Sequence, residues 1–184
     1  TGTTGAWTST SRTLGTTVTA VNDAPTATAT TLAATTEDLA APAGSTVSAL
    51  GFGYSDITDN QSTGGSAIPG GGDTSTPFGG IAIVANAANS TTQGVWQYST
   101  DSGSTWTSIG DGSAGLGAAP TTATAILLPT TAKLRFLPNV LDFNGTPGSL
   151  SIKVSDANVV FSSSTDISAA NATTGQWSAT NTLS

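Results

Sequence analysis

Val21-Asn22-Asp23-Ala24-Pro25 divides this chain, because no β-ladder runs through it: Pro25 has a fixed φ and no amide hydrogen to donate. Before it, Val18 and Val21 close a run of β-type residues. After it, Thr26 to Thr31 alternates Thr with Ala and predicts a first strand. Asn22 and Asp23 place side-chain oxygens in the same short segment, which reads as a stiff joint between two β-modules. A repeat supports the division. Thr3-Thr4-Gly5-Ala6-Trp7-Thr8-Ser9-Thr10 returns as Thr173-Thr174-Gly175-Gln176-Trp177-Ser178-Ala179-Thr180, an offset of 170 residues from Trp7 to Trp177. That is the pattern of one period of a tandem array plus a short overlap. The expected organisation is residues 1–20 as the closing strand of a preceding repeat and 21–184 as a β-sandwich repeat, with a loop or insertion over 61–80.

Composition narrows the fold class in the same direction. Charged residues are 8% of the chain, Glu37 is the one glutamate, and good helix formers are scarce, which disfavours long surface helices. Thr and Val favour pleated strands, and 22 Gly with 8 Pro supply frequent turns. A chain of 184 residues can bury a real core, for which four Trp provide bulk. With no Cys, stability comes from packing and, where present, hard cations. A formal charge of −7, with Arg12, Lys133, Arg135 and Lys153 the only basic residues, argues against nucleic acid as a partner. No apolar run approaches the roughly 20 residues of a membrane-spanning helix.

Short strands with turn signals between them predict an all-β sandwich. They fall at Val47 to Leu50, Ile81 to Val84, Gly94 to Thr100 with Trp96 and Tyr98 on one face, Thr105 to Ile109, Thr124 to Leu128 and Lys133 to Leu137. The clearest is Ser149 to Ser155, which alternates Leu150, Ile152 and Val154 inward against Ser151 and Lys153 outward. Asn144-Gly145 predicts a tight turn.

Four elements in a fixed order carry a family resemblance. They are the Val-Asn-Asp-Ala-Pro joint with Glu37-Asp38, Leu134-Arg135-Phe136-Leu137-Pro138, Leu141-Asp142-Phe143-Asn144-Gly145, and Ile152-Lys153-Val154-Ser155-Asp156. Together they resemble the bacterial cadherin-like tandem repeats of giant secreted adhesins of the RTX and VCBS type, over most of residues 21 to 160. The resemblance implies an immunoglobulin-like/cadherin-like β-sandwich and a secreted, cell-surface location. It also implies an extender role, with neighbouring copies of the repeat as partners, in the same chain or in adjacent subunits. It puts Asp23, Glu37, Asp38, Asp56, Asp59 and Asp156 near the junction, where calcium, which takes six to eight oxygen ligands, is the cation they suit. Two departures stand out. Thr146-Pro147 follow the Phe-Asn-Gly turn where the family usually has an acid, and Asp56 and Asp59 are spaced by three. Each acid has a plain alternative role as a turn residue bonding its own backbone. Asp142 is better placed for that role.

Ser99-Thr100-Asp101-Ser102-Gly103-Ser104-Thr105-Trp106 matches the Asp-box pattern of sialidase propellers, where the motif is structural. Here it predicts a hairpin with Asp101 accepting backbone hydrogens, Gly103 at positive φ and Trp106 packed beneath. The Trp and Tyr side chains could form a stacking platform for surface glycans, making a carbohydrate-binding module a further alternative; buried strand aromatics are the commoner outcome. Catalysis finds little footing: there is no His or Cys, and no spacing selects a pair of aspartates. A fibre or sheath subunit is the other reading. If the last strand is incomplete, an open edge would accept the N-terminal strand of a neighbouring subunit and build a head-to-tail filament.

Overall fold

A computed structural model describes residues 13, 15, 16, 21–37, 39–58, 76–170 and 172–184. Two antiparallel sheets face each other, and no α-helix occurs among the described residues. One sheet has the order β1–β6–β3–β4, built from β1 (Ser45–Thr46), β6 (Lys133–Pro138), β3 (Gly94–Ser99) and β4 (Thr107–Ser108). The other has the order β8–β5–β2–β7–β9, from β8 (Ser162–Thr165), β5 (Ala125–Pro129), β2 (Gly80–Asn86), β7 (Leu150–Ser155) and β9 (Asn181–Leu183). The central orders β1–β6–β3 and β2–β7–β9 are those of the immunoglobulin-like sandwich.

Period-two alternation builds the core. Leu150, Ile152 and Val154 of β7, Ile81 and Ile83 of β2, and Leu134 and Phe136 of β6 point between the sheets with Trp96 and Tyr98 of β3. Each fully buried aliphatic side chain contributes roughly 1.5–3 kcal/mol. Trp96 meets Phe136 edge-on at 5.3 Å, and its indole N–H donates to the Gly148 carbonyl at 2.8 Å, so the largest buried side chain leaves no polar atom unpaired. A second, smaller cluster lies on the outer face of the five-stranded sheet. There Ala82 and Val84, which alternate with the core isoleucines, pack with Ala125, Val159, Ile167 and Trp177.

The C-terminal copy of the repeated motif pairs with the end of β7 and leads into the closing strand, β9. Trp177 bridges Ser155, Ser178 donates its amide to the Val154 carbonyl, and Leu150 to Ile152 then pair with Leu183 to Asn181. The N-terminal copy and Trp7 lie outside the described residues.

Three expectations change. Thr26 to Thr31 is not one strand: Thr26 and Thr28 pair with Ser55 and Phe52, then Thr30 and Leu32 pair with Thr182 and Ser184, parallel to β9. The segment thus crosses from one sheet to the other, as its weakly apolar Thr/Ala alternation allows. Val47–Ala49 is a 3₁₀ turn rather than a strand. The amides of Val47 and Ser48 donate to the Ala132 and Thr130 carbonyls, so tertiary bonds override the β preference of Val47. Lys153 points to the outer face as expected, beside Ala82, yet it is buried there, its ammonium donating to the Ser178 carbonyl at 2.9 Å.

Candidate metal centre

β7 ends at Ser155 and delivers Asp156 to the pole of the sandwich where the Asn-Asp-Ala-Pro joint enters. Asn22 donates from its amide nitrogen to Asp156 Oδ2 at 2.9 Å and to the Asp23 carbonyl at 3.1 Å. Asp23 itself forms a bridge with Thr174, and Ala24 donates to the Thr173 carbonyl, which pins the joint against the start of the closing strand. Pro25 lacks a donor, so the antiparallel pairing resumes only at Thr26.

Asp56 reaches the same place from the segment that pairs with Thr26. Its Oδ2 accepts from the Thr76 amide at 2.6 Å and from the Thr76 hydroxyl at 3.2 Å; that hydroxyl also lies 2.8 Å from the Asp156 carbonyl. Thr76 is held in turn by Tyr54, whose hydroxyl donates to the Thr76 carbonyl at 2.8 Å while its ring packs on Phe78. Thr76 therefore ties two acids that are far apart in sequence. Asp56 is 5% and Asp156 6% exposed.

One atom stands out. Asp56 Oδ1 is buried and has no hydrogen-bond partner among the described residues. A buried oxygen left without a partner costs about 1–3 kcal/mol, more when charged. A hard cation is one chemistry that satisfies such an oxygen. The Asp56 and Asp156 carboxylates are the hard anionic ligands at this pole, while Asn22 faces Asp156 through its amide nitrogen, which donates and does not ligate. Carboxylates alone do not complete a site: among the described residues no group of three or more acids gathers closely enough to hold a metal ion. Further oxygens would have to come from carbonyls, hydroxyls or water.

The six acids expected at the junction thus divide. Asp56 and Asp156 come together, with Asp23 beside them through Asn22. Asp38 and Asp59 lie outside the described residues. Glu37 does not join them. It is exposed, and it lines a cavity shared with Ser184 and Phe143 at the opposite pole, separated by the length of β7 or about 20 Å. Two contributors, Asn22 and Thr76, were not among those acids. Asn22 belongs to the joint motif, whereas Thr76 sits in a Gly/Ser/Thr-rich stretch where nothing distinguishes it.

The Asp-box segment forms the hairpin that joins β3 to β4. Asp101 Oδ1 accepts from the Thr105 amide at 2.9 Å and from the Ser99 hydroxyl at 2.7 Å, while Oδ2 accepts from the Thr105 hydroxyl at 2.6 Å. These bonds, led by the Thr105 hydroxyl, hold the Asp101 carboxyl down at about 2. Gly103 has φ 96°, and the Trp106 N–H donates to its carbonyl. Arg135 stacks 4.0 Å above the Trp106 ring. Trp96 and Trp177 are buried, and Trp106, half-buried, has one ring face covered by Arg135.

No family model, curated protein or solved structure matches this chain.

Proposed function

We propose that this chain is an extender repeat of a large secreted bacterial surface adhesin, in which calcium stiffens the joint between successive sandwiches. The observation that carries the reading is that Thr76 and Asn22 bring Asp56 and Asp156 to the pole where the joint enters, with Asp56 Oδ1 buried and without a hydrogen-bond partner among the described residues. Asp56 and Asp156 would hold the ion, Asn22 donates to Asp156 Oδ2 and so orients that carboxylate, and Asp23 lies next to them. The ion would supply charge neutralisation and tie the joint to the end of β7. Resemblance to cadherin-like repeats and the 170-residue offset support the tandem setting.

The strand-donating filament is less well supported. It needs an open edge beside the last strand, and Thr30 and Leu32 occupy that edge.

The test is thermal unfolding in calcium and in excess EDTA. Calcium at a hundred times its dissociation constant adds about 2.7 kcal/mol, a rise of roughly 5–11 °C for a domain of this size. An identical melting temperature in both media would remove the calcium joint.

A further inference from the structure

The two poles of the sandwich carry complementary apolar features. At the joint pole, Val21 and Ile57 flank Asn22 and Asp56 and are 65% and 61% exposed. At the opposite pole, a cavity of about 730 Å³ opens between the 31–45 segment and the end of the sandwich, lined by Leu32, Leu39, Trp96, Phe136, Phe143 and Pro138. Leu39 at 44% and Leu141 at 86% exposure stand beside it. These four are most of the large apolar side chains that the described surface leaves exposed. The cavity falls in the size range that encloses whole ligands, so it has room for more than one aliphatic side chain.

The repeat identifies the occupant. Ser184 lines this cavity, and in the 170-residue register Ser184 corresponds to Leu14. In a following copy at that register, the counterpart of Val21 lies seven residues beyond Ser184. Seven extended residues span at most about 25 Å. The joint pole of a following copy is therefore tethered within reach of the cavity. We infer that the cavity receives the joint pole of a second copy of this chain, with Ile57 and Val21 of that copy packed against Leu39 and the aromatic lining. This rests on the tandem reading above and adds to it an apolar contact that needs no cation. Because donor and acceptor surfaces differ, the contact is heterologous and propagates along an array.

A two-copy protein tests this: the full chain continued directly by residues 15–184, which preserves the register. Docking raises the melting temperature of the first module by about 5 °C over the single chain, and the rise persists in EDTA. Ile57→Lys in the second copy abolishes the rise, and so does Leu39→Lys in the first. The same substitutions in the reciprocal copies leave it intact, because those side chains face away from the contact. Both side chains are exposed, so each variant of the single chain melts as the parent does, which separates docking from misfolding.

Coupling that appears only with calcium and ignores both substitutions overturns the docking and leaves the calcium joint standing. Position-specific coupling without any calcium effect supports the docking and removes the calcium joint. Two modules that melt independently in both media overturn the docking and the stiffened joint together. An effect of Leu39→Lys that is the same in either copy shows another occupant and overturns the proposal.

Discussion

Replacing Asp56 with Asn removes a charge and keeps the shape of the side chain, which makes it the sharpest probe of the joint. Among the described residues, Asp56 holds two bonds from Thr76 on one oxygen and none on the other, at 5% exposure. The unpartnered charged oxygen costs about 1–3 kcal/mol or more. The Asn variant keeps an oxygen for Thr76, although a neutral acceptor forms bonds about half as strong as a charged one. Its unpartnered amide is penalised less than the charged oxygen it replaces. The net expectation in EDTA is a gain of about 1–2 kcal/mol, or roughly 2–8 °C in melting temperature. Calcium reverses the order. The parent gains about 2.7 kcal/mol at a hundred times its dissociation constant, and the variant, without that carboxylate, gains much less. Calorimetry of both proteins in both media reads this directly. The result that refutes the reasoning is a loss of stability of equal size with and without calcium, since the negative charge would then play no role.

Asp101→Asn tests the hairpin acid. A carboxyl held at about 2 against an ordinary 3.8 stabilises the fold fully above pH 3.8 and loses that contribution as pH falls toward 2. The variant's deficit, followed by thermal melts, should shrink across that window; a constant deficit would mean the carboxylate charge is irrelevant. Lys153→Met tests the buried lysine. Burial lowers its pKa below 10.5, so the parent is penalised at neutral pH and recovers as pH rises through the folded pKa toward 10.5. Urea unfolding should therefore show the Met variant gaining on the parent as pH falls from about 10.5 to 7, and a pH-independent difference would count against burial as the cause. Gly44→Ala places a Cβ 2.6 Å from the Leu134 carbonyl and 2.7 Å from the Trp106 ring, at φ +67°. It should cost about 1–3 kcal/mol and disturb the Arg135–Trp106 stack, visible as a change in tryptophan emission; unchanged stability would show that the loop relaxes freely.

The sandwich is legible in the sequence wherever alternation is strong. Leu150, Ile152 and Val154 are fully buried as the pattern of β7 requires, and Leu134 with Phe136 points inward on β6. The pattern fails where partners, not propensity, decide. Val47 reads as a strand residue but caps the β5–β6 turn through its amide. Ser162–Thr165 has no apolar alternation at all and becomes β8 only because β5 offers it an edge. The candidate site shows the same limit. Asn22, Asp56 and Asp156 are readable as members of a motif order, whereas Thr76 is one of many threonines and acquires its role only when the fold places it between two acids. Glu37 falls at the other pole from the one expected, because sequence order gives no measure of which end of a strand a loop caps.

The crossing of the first segment has a consequence for load. Thr30 to Leu32 runs parallel to Thr182 to Ser184, joined by Thr30 N–H to the Thr182 carbonyl at 3.0 Å, Leu32 N–H to the Ser184 carbonyl at 2.6 Å and Ser184 N–H to the Thr30 carbonyl at 3.2 Å. The chain enters this pair at one pole and leaves it at the other. Tension applied along the chain therefore drags the two segments past each other in shear, and the three bonds must yield together. In an antiparallel pair pulled from one end, the same bonds would break singly, each in its turn.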